Sequence, residues 1–316
     1  MKIIAYSDEY FEDWERFIRK SFQGTFLHSR RYLSYHEDKF IDRSLLYYDQ
    51  KNTLVGVLVA ASFVDSPKIV ISHPGLTFGG LLTSKELLGG RLLATIKQTK
   101  EYYLRIGMHE LKIKVVPPAF HRIACEDDIY ALVQHDFTLY RCDLGSMIDL
   151  SKPRTISSRR KRSLKKALKN HYSISCDNQY LEEFWEILTA NLKKTHGVSP
   201  THSYPEISLL YSRFPDNISL FVALKKCKVA AGCLCYKLNG VLHAQYIAAT
   251  PEAKAESALD LVFDYLIKKS TTECLDRFSF GISTVESGTK LNTGLYEFKT
   301  EFGSTGYVSN HFKTNL

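Results

Sequence analysis

The stretch SLFVALKKCKVAAGCLCYKL (219–238) reads as a strand, a tight turn and a second strand, rich in Val, Leu, Phe and Cys. A third strand, VLHAQYIAAT (241–250), follows after the turn signal LNG. Then comes SALDLVFDYLIKKSTTE (257–273), whose apolar residues recur at helical spacing, and a last strand, CLDRFSFGIS (274–283). A helical stretch, YLEEFWEILTANLKKTHG (180–197), precedes the set.

The first half of the chain repeats this order. After the helical EYFEDWERFIRKSF (9–22) come the strand pair SLLYYDQKNTLVGVLVAASF (44–63), turning at DQKN, and the strand KIVISHPG (68–75). The helical SKELLGGRLLATIKQTKEYYLRIG (84–107) and the strand MHELKIKVV (108–116) complete it. A helix, antiparallel strands, a crossover helix and a further strand make a mixed α/β unit. The expected fold class is α/β (α+β), with two tandem domains, each a mixed, mostly antiparallel sheet flanked by helices. The expected boundaries are 1–150 and 173–316, joined by a basic helical linker at 151–172. Two domains of roughly 150 residues suit a chain of this length.

The composition, 44% apolar and 24% charged, suits packed cores and excludes disorder. The start, MKIIAYSDEYFEDW, carries acids where a secretory signal needs an apolar run, and TLVGVLVAASFV is too short to span a bilayer. Seven scattered cysteines fit reduced thiols in a cytoplasmic protein. Cys233 and Cys235 share a strand face, but no second pair completes a zinc site, so no metal is expected.

The net charge of +8 has a local source. The segment 151–172 holds nine Lys or Arg and no acid, leaving 33 basic and 34 acidic residues elsewhere. Ser157 or Ser158 caps a helix there, with Ile156, Arg160, Leu164 and Leu168 on one side and cations around the rest. Such a helix is either a solvated linker or a phosphate-binding element that uses Arg160 and Lys166. The anions that suit it are a nucleotide diphosphate, the diphosphate of coenzyme A, the tRNA backbone or a membrane surface meeting 159–169.

No GxSxG elbow, HExxH motif or P-loop is present, and HPGLTFGGLL (73–82) lacks the GxGxxG spacing. His196 closes a helix, His202 follows it, and His243 alternates with Gln245 on a strand next to Tyr246. Each histidine alone reads as packed or surface, whereas together with Gln245 and Tyr246 they suit the lining of a polar substrate site.

In NTGLYEFKTEFGSTGY (292–307), Leu295, Phe298 and Phe302 follow the spacing i, i+3, i+7, and Lys299 falls on the same face. One reading packs the lysine stem and leaves its head in water. The other sets a cation in a water-poor place, where it stabilises a tetrahedral oxyanion.

LYEFKTEFG (295–303) closely resembles the C-terminal Phe-Lys motif of the Fem-type transferases, which are tandem GNAT-fold enzymes that add aminoacyl groups to cell-wall precursors. GTFLHSRRYLSYH (24–36), SSRRKRSLKKALK (157–169), THG (195–197), QYIAAT and FSFGIS occur in the same order. HSRRYLSYH, SHPGLTFGG, SPTHS, HAQYIA and LNTGLYEFKTEFG resemble more closely a branch of Fem-like GNAT acyltransferases associated with bacterial surface polysaccharides. The resemblance implies two GNAT-like domains and N-acyl transfer, from acyl-CoA to the amine of a nucleotide-linked amino sugar or similar envelope precursor. It implies that Lys299, with Phe298, stabilises the oxyanion and that Lys166 contacts the nucleotide-linked acceptor.

This chain departs from that pattern in three places. His36 stands where the Fem enzymes carry a second phosphate-contacting lysine. The coiled-coil arm of some Fem proteins is missing. The turn that in GNAT enzymes cradles the pyrophosphate of coenzyme A reads ATPEAKAESALD, without glycine, leaving Thr250 or Ser257 as caps for a helix N-terminus. An acyl carrier protein or an aminoacyl-tRNA is therefore also open as donor. A Fem-type, aminoacyl-tRNA-dependent transferase and a non-catalytic nucleic-acid-binding protein are the competing expectations.

Overall fold

The computed structural model describes the backbone of all 316 residues and every side chain except those of Glu37, Asp38 and His196. Contacts divide the chain into two units. The first comprises Met1–Asp143, Glu286–Lys290 and Val308–Leu316, and the second Leu144–Val285 and Leu291–Tyr307.

The first unit runs β1 (Lys2–Ala5), α1 (Phe11–Lys20), α2 (Arg30–Leu33), β2 (Phe40–Asp42), β3 (Leu45–Tyr48), β4 (Leu54–Leu58), β5 (Ala61–Phe63), β6 (Ser66–Ile71), β7 (Leu81–Thr83), α3 (Gly89–Arg105), β8 (Glu110–Lys114) and α4 (Asp127–Gln134). In α1, Trp14, Phe17 and Ile18 share one face and are buried, and acids at the first turn and bases at the last suit the helix dipole. The strands fall into two sheets. One is ordered β1-β3-β4-β7, and the other sets β8, β6, β5 and β2 side by side. The split arises because β7 takes the second edge of β4, with Gly56 opposite Thr83, so β5 and β6 pair elsewhere. β6 and β8 are parallel, as a crossover through α3 requires.

The second unit runs from the later residues of β9 (Thr138–Asp149) through α5 (Ser158–Lys169), β10 (Ser173–Ser175), α6 (Leu181–His196), α7 (Tyr204–Arg213), β11 (Ile218–Lys225), β12 (Lys228–Leu238), β13 (Val241–Ala249), α8 (Pro251–Ala255), α9 (Ala258–Thr272), β14 (Arg277–Ile282) and α10 (Thr293–Thr300). Its sheet is ordered β10-β11-β12-β13-β14-β9 and is antiparallel except between β13 and β14. That parallel pair is joined through α8 and α9. Val262 and Leu266 of α9 pack in one core with Phe278 and Phe280 of β14.

The contact division falls at 143/144, within β9, where the sequence placed a boundary after residue 150. Residues 151–172 lie inside the second unit, with α5 packed against α9. The chain end returns to the first unit: His311–Asn315 pair with Glu110–Lys114. Only the long-range pairing of that last strand, which no local pattern records, assigns its end to the first unit.

Candidate active site

β13 and β14 pair over only three residues, Val241–His243 with Arg277–Ser279. Beyond that point β13 continues to Ala249 and β14 to Ile282 without pairing to each other. The carboxyl ends of parallel strands that part in this way form a crevice suited to a ligand. Both strands are irregular there. A slip of β13 against β12 makes Gln245 an extra residue between Ala244 and Tyr246. A slip of β14 against β9 lies between Ser279 and Gly281, and Gly281 has φ +73°, a left-handed value that disfavours any side chain.

Lys299 projects onto this irregular stretch. The α10 helix begins at Asn292, whose side chain accepts a hydrogen bond from Leu295 N. Leu295 is 38% exposed while Lys299 is 3% exposed, so the inward residue is the lysine and not the leucine of the expected stripe. The expectation that the amine reaches water fails for the same reason. Nζ donates to Gly281 O at 3.0 Å and to Ile282 O at 2.6 Å. Burial lowers the amine from the usual lysine range to about 7, and no carboxylate contributes to that shift.

Behind the fork lies a hydroxyl chain. His243 Nδ1 is 3.0 Å from Ser279 Oγ, Ser279 Oγ is 3.3 Å from the Tyr307 hydroxyl, and Gly281 N–H donates to Ser279 Oγ at 3.2 Å. The ring of Tyr307 crosses β9 over Gly145, where a Cβ would stand 2.3 Å from the ring. Sequence reading quoted FSFGIS only as a strand and missed Ser279, Gly281, Gly145 and Tyr307. Gly281 within that strand pattern was the available signal, since an isolated glycine there marks a bulge or a close approach.

Phe298 and Phe302 carry the other side of α10. Their rings are 5.3 Å apart and lie near Phe263. The Arg160 guanidinium stacks 4.7 Å from the Phe298 ring centre, donates to Asp260 Oδ1 at 2.8 Å, and lies 2.8 Å from Glu301 Oε2. This corrects the expectation that Arg160 binds a ligand phosphate: it is 7% exposed and its charge is met by two acids distant in sequence. Burial raises the Asp260 carboxyl to about 6 against the lowering effect of Arg160. Leu168, expected on the packed side of α5, is exposed, and Ala167 is buried in its place.

The other expected residues divide. His202 Nδ1 meets the Tyr246 hydroxyl at 2.5 Å, Trp185 packs edge-on against the Tyr246 ring, and burial pushes that hydroxyl up to about 12. His202, His243, Gln245 and Tyr246 thus belong to β13 and its immediate surroundings. The His196 side chain lies outside the described residues. Lys166 is exposed and donates to Ala255 O at 2.8 Å. His36 is a packed ring of the first unit, stacked on Tyr35 and His73 and closely approached by Gly75, with Nδ1 3.1 Å from Leu33 O. At 5% exposure it does not present itself to an acceptor phosphate, which corrects that expectation.

The turn after β13 does not fit a pyrophosphate cradle. The Thr250 side chain caps α8, as expected, by accepting from Ala253 N. Ser257 does not cap: it sits at φ +64° in the kink before α9 and its side chain accepts no capping bond. The N–H groups of Lys254, Glu256 and Ser257 bond to carbonyls inside the turn, and Glu252 and Glu256 add negative charge paired to Lys225. Among the described residues no three His, Cys, Asp or Glu side chains converge as a metal site, and no helix is long and apolar enough to cross a membrane.

Residues 151–300 match the family model described as an acetyltransferase (GNAT) domain. No curated protein sequence matches the chain. Among solved structures the chain is similar to FemX, with TM-score 0.69 and 12% identity, over 100% of this chain and 98% of that one. It is similar to L-PGS from Bacillus licheniformis, with TM-score 0.63 and 12% identity, over 95% and 90%. It is also similar to a tandem GNAT protein from the clavulanic acid biosynthesis pathway, with TM-score 0.56 and 8% identity, over 99% and 98%. Residues 151–300 thus match a GNAT-type acetyltransferase domain, and the likeness to these structures shows a fold shared over nearly the whole chain.

Proposed function

We propose that the protein is a cytoplasmic N-acyltransferase of bacterial cell-envelope or surface-polysaccharide biosynthesis, acylating the amine of a nucleotide-linked amino sugar or similar precursor. The observation that carries this reading is Lys299, buried at the parting of β13 and β14 and held by two carbonyls without a carboxylate. When an amine attacks an acyl carbonyl at the fork, its oxygen turns negative. A negative oxygen beside Nζ restores the ammonium, so the interaction is stronger in the transition state than in the free protein. The exposed face of α5, with Arg159, Lys161, Arg162, Lys165, Lys166 and Lys169, suits the acceptor's phosphates.

The donor is an activated acyl group. Acyl-CoA is the donor the fold generally uses, yet the turn after β13 lacks the glycine-rich cradle. That feature favours, as a second reading, a Fem-type transferase taking its acyl group from aminoacyl-tRNA. The assay is transfer by the purified protein from acetyl-CoA, acyl carrier protein or aminoacyl-tRNA to UDP- and dTDP-amino sugars and peptidoglycan precursors, followed by mass. Acylated amino sugar supports the first reading, and transfer to a peptidoglycan precursor from charged tRNA alone replaces it with the second.

A further inference from the structure

The geometry points to Lys299 as a site of self-acylation: when no acceptor amine is in place, its Nζ takes the donor's acyl group as a stable amide. This inference rests on the transferase reading, which brings an acyl carbonyl to the parting of β13 and β14.

The hydrogen bonds of Nζ suit an uncharged amine. A neutral amine has two N–H groups and one lone pair, whereas an ammonium has three N–H groups and no lone pair. Nζ donates to Gly281 O and Ile282 O and has no other partner among the described residues. Two acceptors satisfy the neutral form completely. The ammonium leaves one buried N–H without a partner, which costs free energy. The lowering of the amine to about 7 by burial agrees with that count. Near pH 7.5 more than half of Lys299 is then neutral, against about one part in a thousand of an ordinary exposed lysine.

The lone pair is the nucleophile. With both N–H groups tied to the strand, it lies away from the two carbonyls and meets no donor of the described residues. A carbonyl whose oxygen sits beside Nζ has its carbon one bond further on. While an acceptor amine is bound, that amine attacks the carbon and Lys299 steadies the oxygen. Without the acceptor, Nζ is the amine that faces the carbon.

In the step, the lone pair of Nζ forms the C–N bond. The bond from the carbonyl carbon to the donor's leaving atom, a thioester sulfur or an ester oxygen, breaks, and that atom leaves with the proton that Nζ loses. The product is an amide with one N–H and no charge. It cannot supply the ammonium that the oxyanion needs, and either Gly281 O or Ile282 O loses its partner. Self-acylation is thus a shut-off that acts when donor is present and acceptor is scarce.

Lys114 gives an internal comparison. In the first unit its Nζ donates to Leu76 O at 3.0 Å, and burial lowers it to about 8. A low titration alone would make it reactive too, whereas the fork makes Lys299 alone face a donor.

The test incubates the full-length protein without acceptor, with acetyl-CoA and in parallel with aminoacyl-tRNA, and follows lysine acylation by peptide mass mapping. With one of these donors Lys299 should be acylated at least ~10-fold faster than Lys114 and the exposed Lys161 and Lys165. Its rate should rise from pH 6 to about 8 and then level off, while the exposed lysines go on rising towards pH 10. Turnover should fall in proportion to the acylated fraction of Lys299, and an acceptor that the protein acylates should slow the modification. Equal labelling of Lys299 and Lys114, or a Lys299 profile that follows the exposed lysines, overturns the inference. So does transfer to an acceptor by a protein whose Lys299 stays unmodified in the acceptor's absence, and that result leaves the transferase reading intact. Lys299 acylated with the predicted profile, and no acceptor turned over, keeps the modification site and removes the transferase reading.

Discussion

The guanidinium of Arg160 donates to the carboxylate of Asp260 at 2.8 Å, joining the first turn of α5 to the first turn of α9. Both side chains are buried. Removing one member of such a pair leaves an uncompensated buried charge, which costs about 3–5 kcal/mol. Arg160→Met should therefore lower the unfolding free energy obtained from urea titration by that order. Arg160→Met with Asp260→Leu should recover much of the loss. Equal loss in the single and double variants would show that the pair acts through shape alone.

The exposed cations of α5 should behave differently. Replacing Lys161, Arg162, Lys165 and Lys169 together with Gln should leave the melting temperature near native, because surface changes are each within about 0.5 kcal/mol. It should raise KM for a phosphate-bearing acceptor several-fold and flatten the dependence of KM on salt. An unchanged KM with unchanged salt dependence would remove α5 from acceptor binding.

Burial of Lys299 also predicts a pH dependence of stability. The folded protein titrates the amine at about 7, well below the usual lysine value. Between those values the unfolded chain holds the extra proton, so stability rises with pH through that window. Below pH 7 the burial penalty is complete. Lys299→Met, which has no such penalty, should gain most over the native protein near pH 6.5 and least near pH 9.5. Thermal unfolding at the two values checks this, and a constant difference would contradict the lowered titration.

The tandem order of strands and helices was legible because each half repeats one local pattern with turn residues at its breaks. The motif around Lys299 was legible as a motif, but its burial was not. Leu295 has the more apolar side chain and lies on the helix face the spacing marks, yet it is exposed, because the partners of Lys299 are carbonyls of a strand more than fifteen residues earlier. Arg160 was misread for a related reason. Its own segment holds no acid, whereas Asp260 and Glu301 come from α9 and the end of α10. His36 looked available because nothing local showed Gly75 and His73 closing over it. In each case the deciding partner was brought in by tertiary packing.

Lys299 predicts a pH limb for activity as well. If the ammonium stabilises the oxyanion, kcat/KM should fall as pH rises above about 7, where the free protein loses that proton. Lys299→Arg, charged throughout, should lose this alkaline limb even where its activity is lower. A limb retained in Lys299→Arg would assign the titration to another group.

The most direct test of the account is the turnover of Lys299→Met, measured beside the native protein with the same donor and acceptor after circular dichroism shows a native fold. Loss of one oxyanion donor costs on the order of 100- to 1,000-fold in kcat, and a loss of that size with little change in acceptor KM is the predicted result. Turnover within a few-fold of native would contradict it.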